Sequence, residues 1–234
     1  TDIRVMGIPK TMDNDIAVTD HAPGFASAAR YIAQSVAEVC ADVQGLPIHV
    51  VVIEACGRNA GWITAASALA RDCGVDGPDL IYLPERPFDE DRYIADVKAV
   101  LEKKRGVVVV CSEGLTDKDG KNIVPPVFRS GRSTYFGDVS AHLAMLVIKR
   151  LGYKARSEEP GLIGRASMLH VSPVDQQEAI AVGREAVRAC VAGESGKMVA
   201  LMREEGEAYR VRMELIDVHD VMLHEKKMPD RYIN

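Results

Sequence analysis

The sequence predicts an α/β fold: a mostly parallel, doubly wound (Rossmann-like) sheet in three layers. Three observations carry this. Short β-branched runs alternate along the chain with stretches of helical periodicity. Two of those runs, IHVVVIE at 48–54 and GVVVVCS at 106–112, are apolar at nearly every position, as in strands buried on both faces. Residues able to do chemistry gather just after the runs, where the strands of such sheets end and ligands bind.

Each element follows from its own residues. The run 3–8 (IRVMGI) reads as a strand. Residues 24–43 space their alanines and larger apolar groups helically, and Gly45 is a fitting C-cap. The strand at 48–54 comes next, then a small-residue helix at 61–73, then a strand at 80–83 ended by Pro84. Residues 89–104 form an amphipathic helix and lead into the strand at 106–112. The stretch 116–130, with DKDG and paired prolines, reads as a hairpin or excursion. Helices at 138–151 (capped by Gly152) and 173–191 precede strands at 197–202 and 209–215 and a short tail.

Composition narrows the function classes. The chain has 234 residues, 47% of them hydrophobic, enough for a sizeable core in one large domain or two lobes. A formal net charge of -5 and a pI of about 5.7 argue against nucleic-acid and membrane-surface roles, which need a basic face. No apolar run approaches bilayer-spanning length. Five cysteines, odd in number, widely spaced and without a C-x-x-C, point to reduced thiols and a cytoplasmic setting.

Three predicted strand ends are chemically loaded: Gly7–Asp15, Glu54–Asn59 and Ser112–Gly114. In PKTMDND, Asp13 and Asp15 share a face if the backbone is extended, so one could act as base while the other aids a metal. Lys10 could meet a phosphate as a point charge. The same residues also make an ordinary surface turn. In EACGRNAGW, Arg58 lies between glycines at a helix start, a pattern that suits anions. A plain strand–helix loop is the alternative. Glu113 could accept hydrogen bonds from hydroxyls or stand solvated at a strand end. The stretch 153–165 carries Tyr153, Lys154, Arg156 and Arg165 around a turn, fit for a terminal phosphate or for exposed ion pairs with Glu158 and Glu159. His21 and His142 sit in helical surroundings with no nucleophile assigned to them, and Trp62 reads as packing under its helix. Cys56 and Cys111 read as packed thiols rather than nucleophiles.

Taken in order, GIPKTMDNDI, EACGRNAGWITAASALA, PERPF, VVVVCSEGL and YKARSEEPGLIGRASMLHVSPVDQQEA resemble the phosphofructokinase family over nearly the whole chain. The resemblance implies phosphoryl transfer to the 1-hydroxyl of fructose 6-phosphate in glycolysis. It implies Asp13 as the base, with Lys10 and Arg58 as the cations beside the transferring group. It implies Thr11, Met12, Cys56, Gly57, Glu113, Tyr153, Arg156 and Arg165 as further substrate contacts, with Arg156 and Arg165 competing for the 6-phosphate. Cys56 stands where the family has methionine, a change of little consequence if the contact is made by backbone. Asp15 resembles a supporting acid near magnesium. Lys10 favours pyrophosphate as donor; an ATP-dependent enzyme and a non-catalytic sugar-phosphate-binding fragment are the alternatives. The resemblance also implies a homo-oligomer, dimer or tetramer. It implies a donor-side lobe formed by 1–20 and 171–215, a sugar-phosphate lobe of 21–170 and a tail of 216–234. The family's glycine-rich amino-terminal strand–turn and Gly-Gly-Asp segment, which hold donor and most of the magnesium, have no counterpart in the sequence.

Overall fold

The two runs that the sequence marks as apolar throughout lie side by side. In a computed structural model, which describes residues 3–46, 49–131 and 133–233, β2 (Val50–Ala55) and β4 (Val107–Ser112) pair in parallel and every residue of both is buried. Ile48, read as the start of the first run, lies outside the described residues. With β3 (Leu80–Tyr82) and β7 (Ala155–Glu158) they form a four-stranded parallel sheet of order β3-β4-β2-β7. Its alternate side chains face opposite layers, as a strand requires. Val51, Ile53, Val108 and Val110 pack under α1 (Phe25–Gly45) and α2 (Trp62–Ala66). Val50, Val52, Val107 and Val109 pack against α3 (Glu90–Leu101) and α4 (Val139–Leu151). Each fully buried valine contributes roughly 1.5–3 kcal/mol, so this sheet is the main source of stability.

A second sheet has order β1-β8-β9. Here β1 (Met6–Gly7) runs parallel to β8 (Lys197–Arg203), and β9 (Val211–Asp217) closes the other side antiparallel. Helix α6 (Pro173–Val191) covers it through Val182 and Ala186 against Val199 and Leu201. The α/β, mostly parallel character expected of the chain rests on the four-stranded sheet; the smaller sheet joins one short parallel pair to a longer antiparallel one.

Local readings change in six places. The strand at 3–8 narrows to Met6–Gly7, with Ile3, Val5 and Ile8 exposed. Helix α1 runs through Gly45 and its C-cap is Leu46. The helix at 61–73 keeps α winding only to Ala66. Ser67 then donates to the Thr64 carbonyl (2.5 Å), and residues Ser67–Cys73 tighten into a 3-10 helix. The excursion after β4 holds a turn closed by the Thr116–Asn122 bridge and a separate hairpin, β5 (Pro126–Ser130) with β6 (Ser133–Phe136). The basic stretch after Gly152 contains β7 and α5 (Gly161–Ala166). Neither was legible, because ARSE is a polar, half-exposed edge strand and GLIGRA opens on one glycine and carries a second. A short helix, α7 (Val218–Val221), follows β9.

Candidate active site

Three loops meet where the two sheets face each other. They follow β1, β2 and β4, the strand ends singled out in the sequence. They do not lie along one sheet edge, as expected, since β1 belongs to the smaller sheet.

The loop after β2 is built by its neighbour. Glu113, just past β4, accepts hydrogen bonds from the backbone amides of Gly57 and Arg58, both at 2.9 Å through Oε1. Ser112 Oγ donates to the Arg58 carbonyl (3.2 Å). A Cβ on Gly114 would stand 1.8 Å from that carbonyl oxygen, so only glycine admits the approach. Gly57 (φ 134°) and Arg58 (φ 49°) both have positive φ, an uncommon conformation for arginine. Glu113 thus holds the arginine loop, and one of its oxygens is committed to backbone.

The loop after β1 turns rather than extends. Asn14 has φ 54°, and Thr11 Oγ1 accepts from the Asp13 amide (3.1 Å). This turn, not strand alternation, brings both acids to Arg58. The Arg58 guanidinium reaches Asp13 Oδ2 at 3.2 Å and Asp15 Oδ2 at 2.8 Å. Its side chain remains 65% exposed while the two acids are only 14% exposed, so the arginine is the movable member. Burial, the largest influence, raises the Asp13 carboxyl above its ordinary value; Arg58 opposes it, and Asp15 and Glu113 add to it.

Met12, next to Asp13, lines a cleft of about 300 Å³ with Lys10, Ser27, Gly164, Arg165 and Ser167, among others. Met12, Cys56 and Arg165 also border the smaller hollow over Glu54. Lys10, Met12, Cys56 and Arg165 are therefore gathered with the cluster. Tyr153 and Arg156 are not. Tyr153 packs against His49 (ring centroids 5.3 Å) at the opposite, amino-terminal edge of the sheet, and Arg156 is exposed in mid-strand beside Val51.

Burial also decides the thiols. It pushes Cys56 up to about 12, with Glu113, Asp13 and Glu54 adding to the effect, and raises Cys111 well above its usual value. Neither supplies a thiolate nucleophile near neutral pH. Glu54 is buried, accepts from the Ser140 amide at the start of α4 (2.9 Å), and is lifted by burial to about 8.

Among the described residues no three acids, histidines or cysteines cluster as a metal cage. Magnesium seldom needs one: it is held by one or two carboxylates together with substrate phosphates, and the converging Asp13 and Asp15 match that donor set.

Other features escaped the sequence. Lys226, near the chain's end, places its Nζ on Asn14 Oδ1, Thr19 O and Asp20 O. Burial draws it down to about 8, against the pull of Asp20 and Asp15. Trp62 does not simply pack under its helix: its Nε1 donates to the Lys226 carbonyl (3.0 Å). His21 precedes α1 and binds Glu178 of α6 through Nδ1, tying the two sheets' helices together. No spacing rule links residues 157 to 212 positions apart, so none of this had a signal. Among the described residues no helix is long and apolar enough to cross a membrane.

The Phosphofructokinase family model matches residues 1–190. A pyrophosphate–fructose 6-phosphate 1-phosphotransferase of Xanthomonas campestris is 38% identical over 99% of this chain. A sulfofructose kinase of Alkalicoccus urumqiensis is also 38% identical over 99% of it. The crystal structure of a pyrophosphate-dependent phosphofructokinase from Marinobacter aquaeolei superposes with a TM-score of 0.85 at 33% identity, over 99% of this chain. The chain spans 56% of the length of the first and third of these and 60% of the second. By family match, relatives and fold, the chain belongs to the phosphofructokinase family.

Proposed function

We propose that this chain carries the sugar-phosphate side of a pyrophosphate-dependent 6-phosphofructokinase, making fructose 1,6-bisphosphate from fructose 6-phosphate. The observation that carries the reading is the convergence of Asp13 and Asp15 on Arg58, with the adjacent Met12 lining the cleft of Lys10 and Arg165. A fructose 6-phosphate with its phosphate toward Arg165 would present its 1-hydroxyl to Asp13.

Asp13 then accepts the hydroxyl proton as the sugar oxygen attacks the terminal phosphorus of pyrophosphate. The new O–P bond forms as the bridging P–O bond breaks, and orthophosphate leaves. Arg58, released from the two acids by the incoming donor, pairs with the transferring phosphoryl group. Lys10, exposed at the cleft mouth, neutralises further donor charge. Asp15, with the donor's own oxygens, would hold a magnesium ion, which supplies charge neutralisation. Thr11 acts by fixing the Asp13 turn. Glu113 fixes the arginine loop, and its second oxygen is the one left for a sugar hydroxyl.

The lobe division expected from the resemblance, 1–20 with 171–215 against 21–170, fits the two-sheet arrangement and is carried forward as part of this proposal. So are a cytoplasmic setting and a homo-oligomer. Tyr153 and Arg156, which lie away from the cleft, suit a subunit contact through which they reach a neighbour's site.

The test is a coupled assay of the full-length protein with magnesium, fructose 6-phosphate and either pyrophosphate or ATP, with sulfofructose as competing acceptor. Turnover with pyrophosphate and fructose 6-phosphate is expected. An Asp13→Asn variant should lose about 10²- to 10⁴-fold in kcat, the usual contribution of a positioned base. A variant as fast as the parent removes Asp13 from the mechanism. Preference for ATP, or for sulfofructose, would change the donor or acceptor assigned here.

A further inference from the structure

The carboxyl-terminal segment crosses the Asp13 loop on its outer side. Glu225 forms an antiparallel bridge with Ile16, and the Lys226 amide donates to the Asp15 carbonyl (2.7 Å). The Lys226 side chain then turns inward. Its ammonium donates to Asn14 Oδ1 (3.1 Å), Thr19 O (2.7 Å) and Asp20 O (2.8 Å). An ammonium has three protons, and all three are used. None of the three acceptors is a carboxylate, so the hydrogen bonds of this cation gather loop oxygens.

The same segment is anchored on its far side. The Trp62 indole donates to the Lys226 carbonyl (3.0 Å), and Nζ stands 5.3 Å from the centre of that ring. Asn59, next to Arg58, donates to the Glu225 carboxylate (3.3 Å). Glu85 Oε1 accepts from both the Gly61 amide (2.8 Å) and the Met228 amide (2.9 Å). The segment thus joins the loop carrying Asp13 to the loop carrying Arg58.

Asn14 is the link between this strap and the chemistry. It is 2% exposed, stands between the two site acids, and holds φ 54°. Its Oδ1 accepts from the Ala22 amide (3.0 Å) as well as from Lys226. Asparagine tolerates a left-handed turn, and the contacts around Asn14 select it here.

We propose that Lys226 is a positioning residue for catalysis: it fixes the Asn14 turn, and through it the direction of Asp13 and Asp15, from a strap that also holds the Arg58 loop. The mechanistic part rests on the phosphofructokinase reading; the ordering of the loop does not. Lys226 itself touches no reacting atom.

The test compares Lys226→Met, Trp62→Phe and the control Lys227→Met in the full-length protein. Hydrogen–deuterium exchange and steady-state kinetics are both measured. For Lys226→Met, kcat should fall about 10- to 100-fold, as for an ångström-scale misplacement of a catalytic group, while KM for fructose 6-phosphate moves much less. Exchange should quicken at residues 13–20 and stay unchanged in α3. Lys227→Met should match the parent in both readouts. Unchanged exchange at 13–20, or exchange raised uniformly across the molecule, overturns the proposal. So does a preserved kcat in an enzyme that turns over. Should Lys226→Met not fold, Trp62→Phe decides. It removes one strap bond, and quickened exchange at 13–20 supports the proposal whereas parental exchange there defeats it. A parent that turns over no sugar phosphate would sink the functional reading alone, and exchange would still judge the strap.

Discussion

The two loops that meet at Arg58 and Asp13 share the strap and differ in what else holds them. The Arg58 loop is set from beneath by its own sheet: Glu113 on two amides, Ser112 on a carbonyl, and a glycine at 114 that lets the chains touch. The Asp13 loop leaves a strand of two ladder residues and is set from outside, by Lys226 and the strap. The difference follows from strand length. A buried six-residue strand delivers its end with little freedom, while a short edge strand needs a later segment to hold the loop beyond it. Rigidity at a site can therefore come from a sheet or from a distant piece of chain, and only the first kind leaves a local sequence trace.

Three substitutions would break or sharpen this contrast. The largest effect is expected for Gly114→Ala. Its new Cβ would meet a backbone carbonyl that cannot move without unseating Arg58, so a loss of about 3 kcal/mol is expected. Urea unfolding would measure it, and amide exchange should rise at 57–59 but not at 13–20. Next is Asn14→Ala, which strips partners from the Ala22 amide and Lys226 and asks alanine to hold φ 54°. About 2 kcal/mol should be lost, with exchange rising at 13–20 but not at 57–59. If both variants loosen both loops equally, the contrast fails.

The most graded effect, spread over several pH units, concerns Glu54, under the sheet-held side. Its folded pKa is raised to about 8 by burial, from an ordinary 4.5. The folded state then keeps a proton that the unfolded state releases, so Glu54 makes stability fall as pH rises from about 4.5 to 8. The slope approaches ~1.4 kcal/mol per pH unit for one proton. Glu54→Gln can still accept from the Ser140 amide and should flatten that decline in pH-dependent unfolding. A slope equal to the parent's would mean Glu54 is ionised in the folded protein.

The legible parts share a physical character. β2 and β4 were readable because burial on both faces demands an unbroken apolar run. Asp13, Arg58 and Glu113 were singled out because strand ends are where such sheets bind ligands. β7 and α5 were missed because an exposed polar edge strand and a six-residue helix with two glycines owe their form to neighbours. The pairing of Asp13 with Asp15 was anticipated through extended backbone. The structure achieves it through Asn14's left-handed turn, which an asparagine allows and does not announce.

The sequence by itself determined the α/β class, the two buried strands, the helices that cover them and the short list of reactive residues, since each rests on period, propensity or an ordered motif. The tertiary structure alone decided that the site lies between two sheets, that Glu113 serves the arginine loop and that Tyr153 faces the other edge. It also decided that Lys226, more than 200 positions from Asn14, holds the turn between the two acids. Such contacts depend on how chain segments return to one another in space, and the energy that holds them belongs to pairs that no local pattern records.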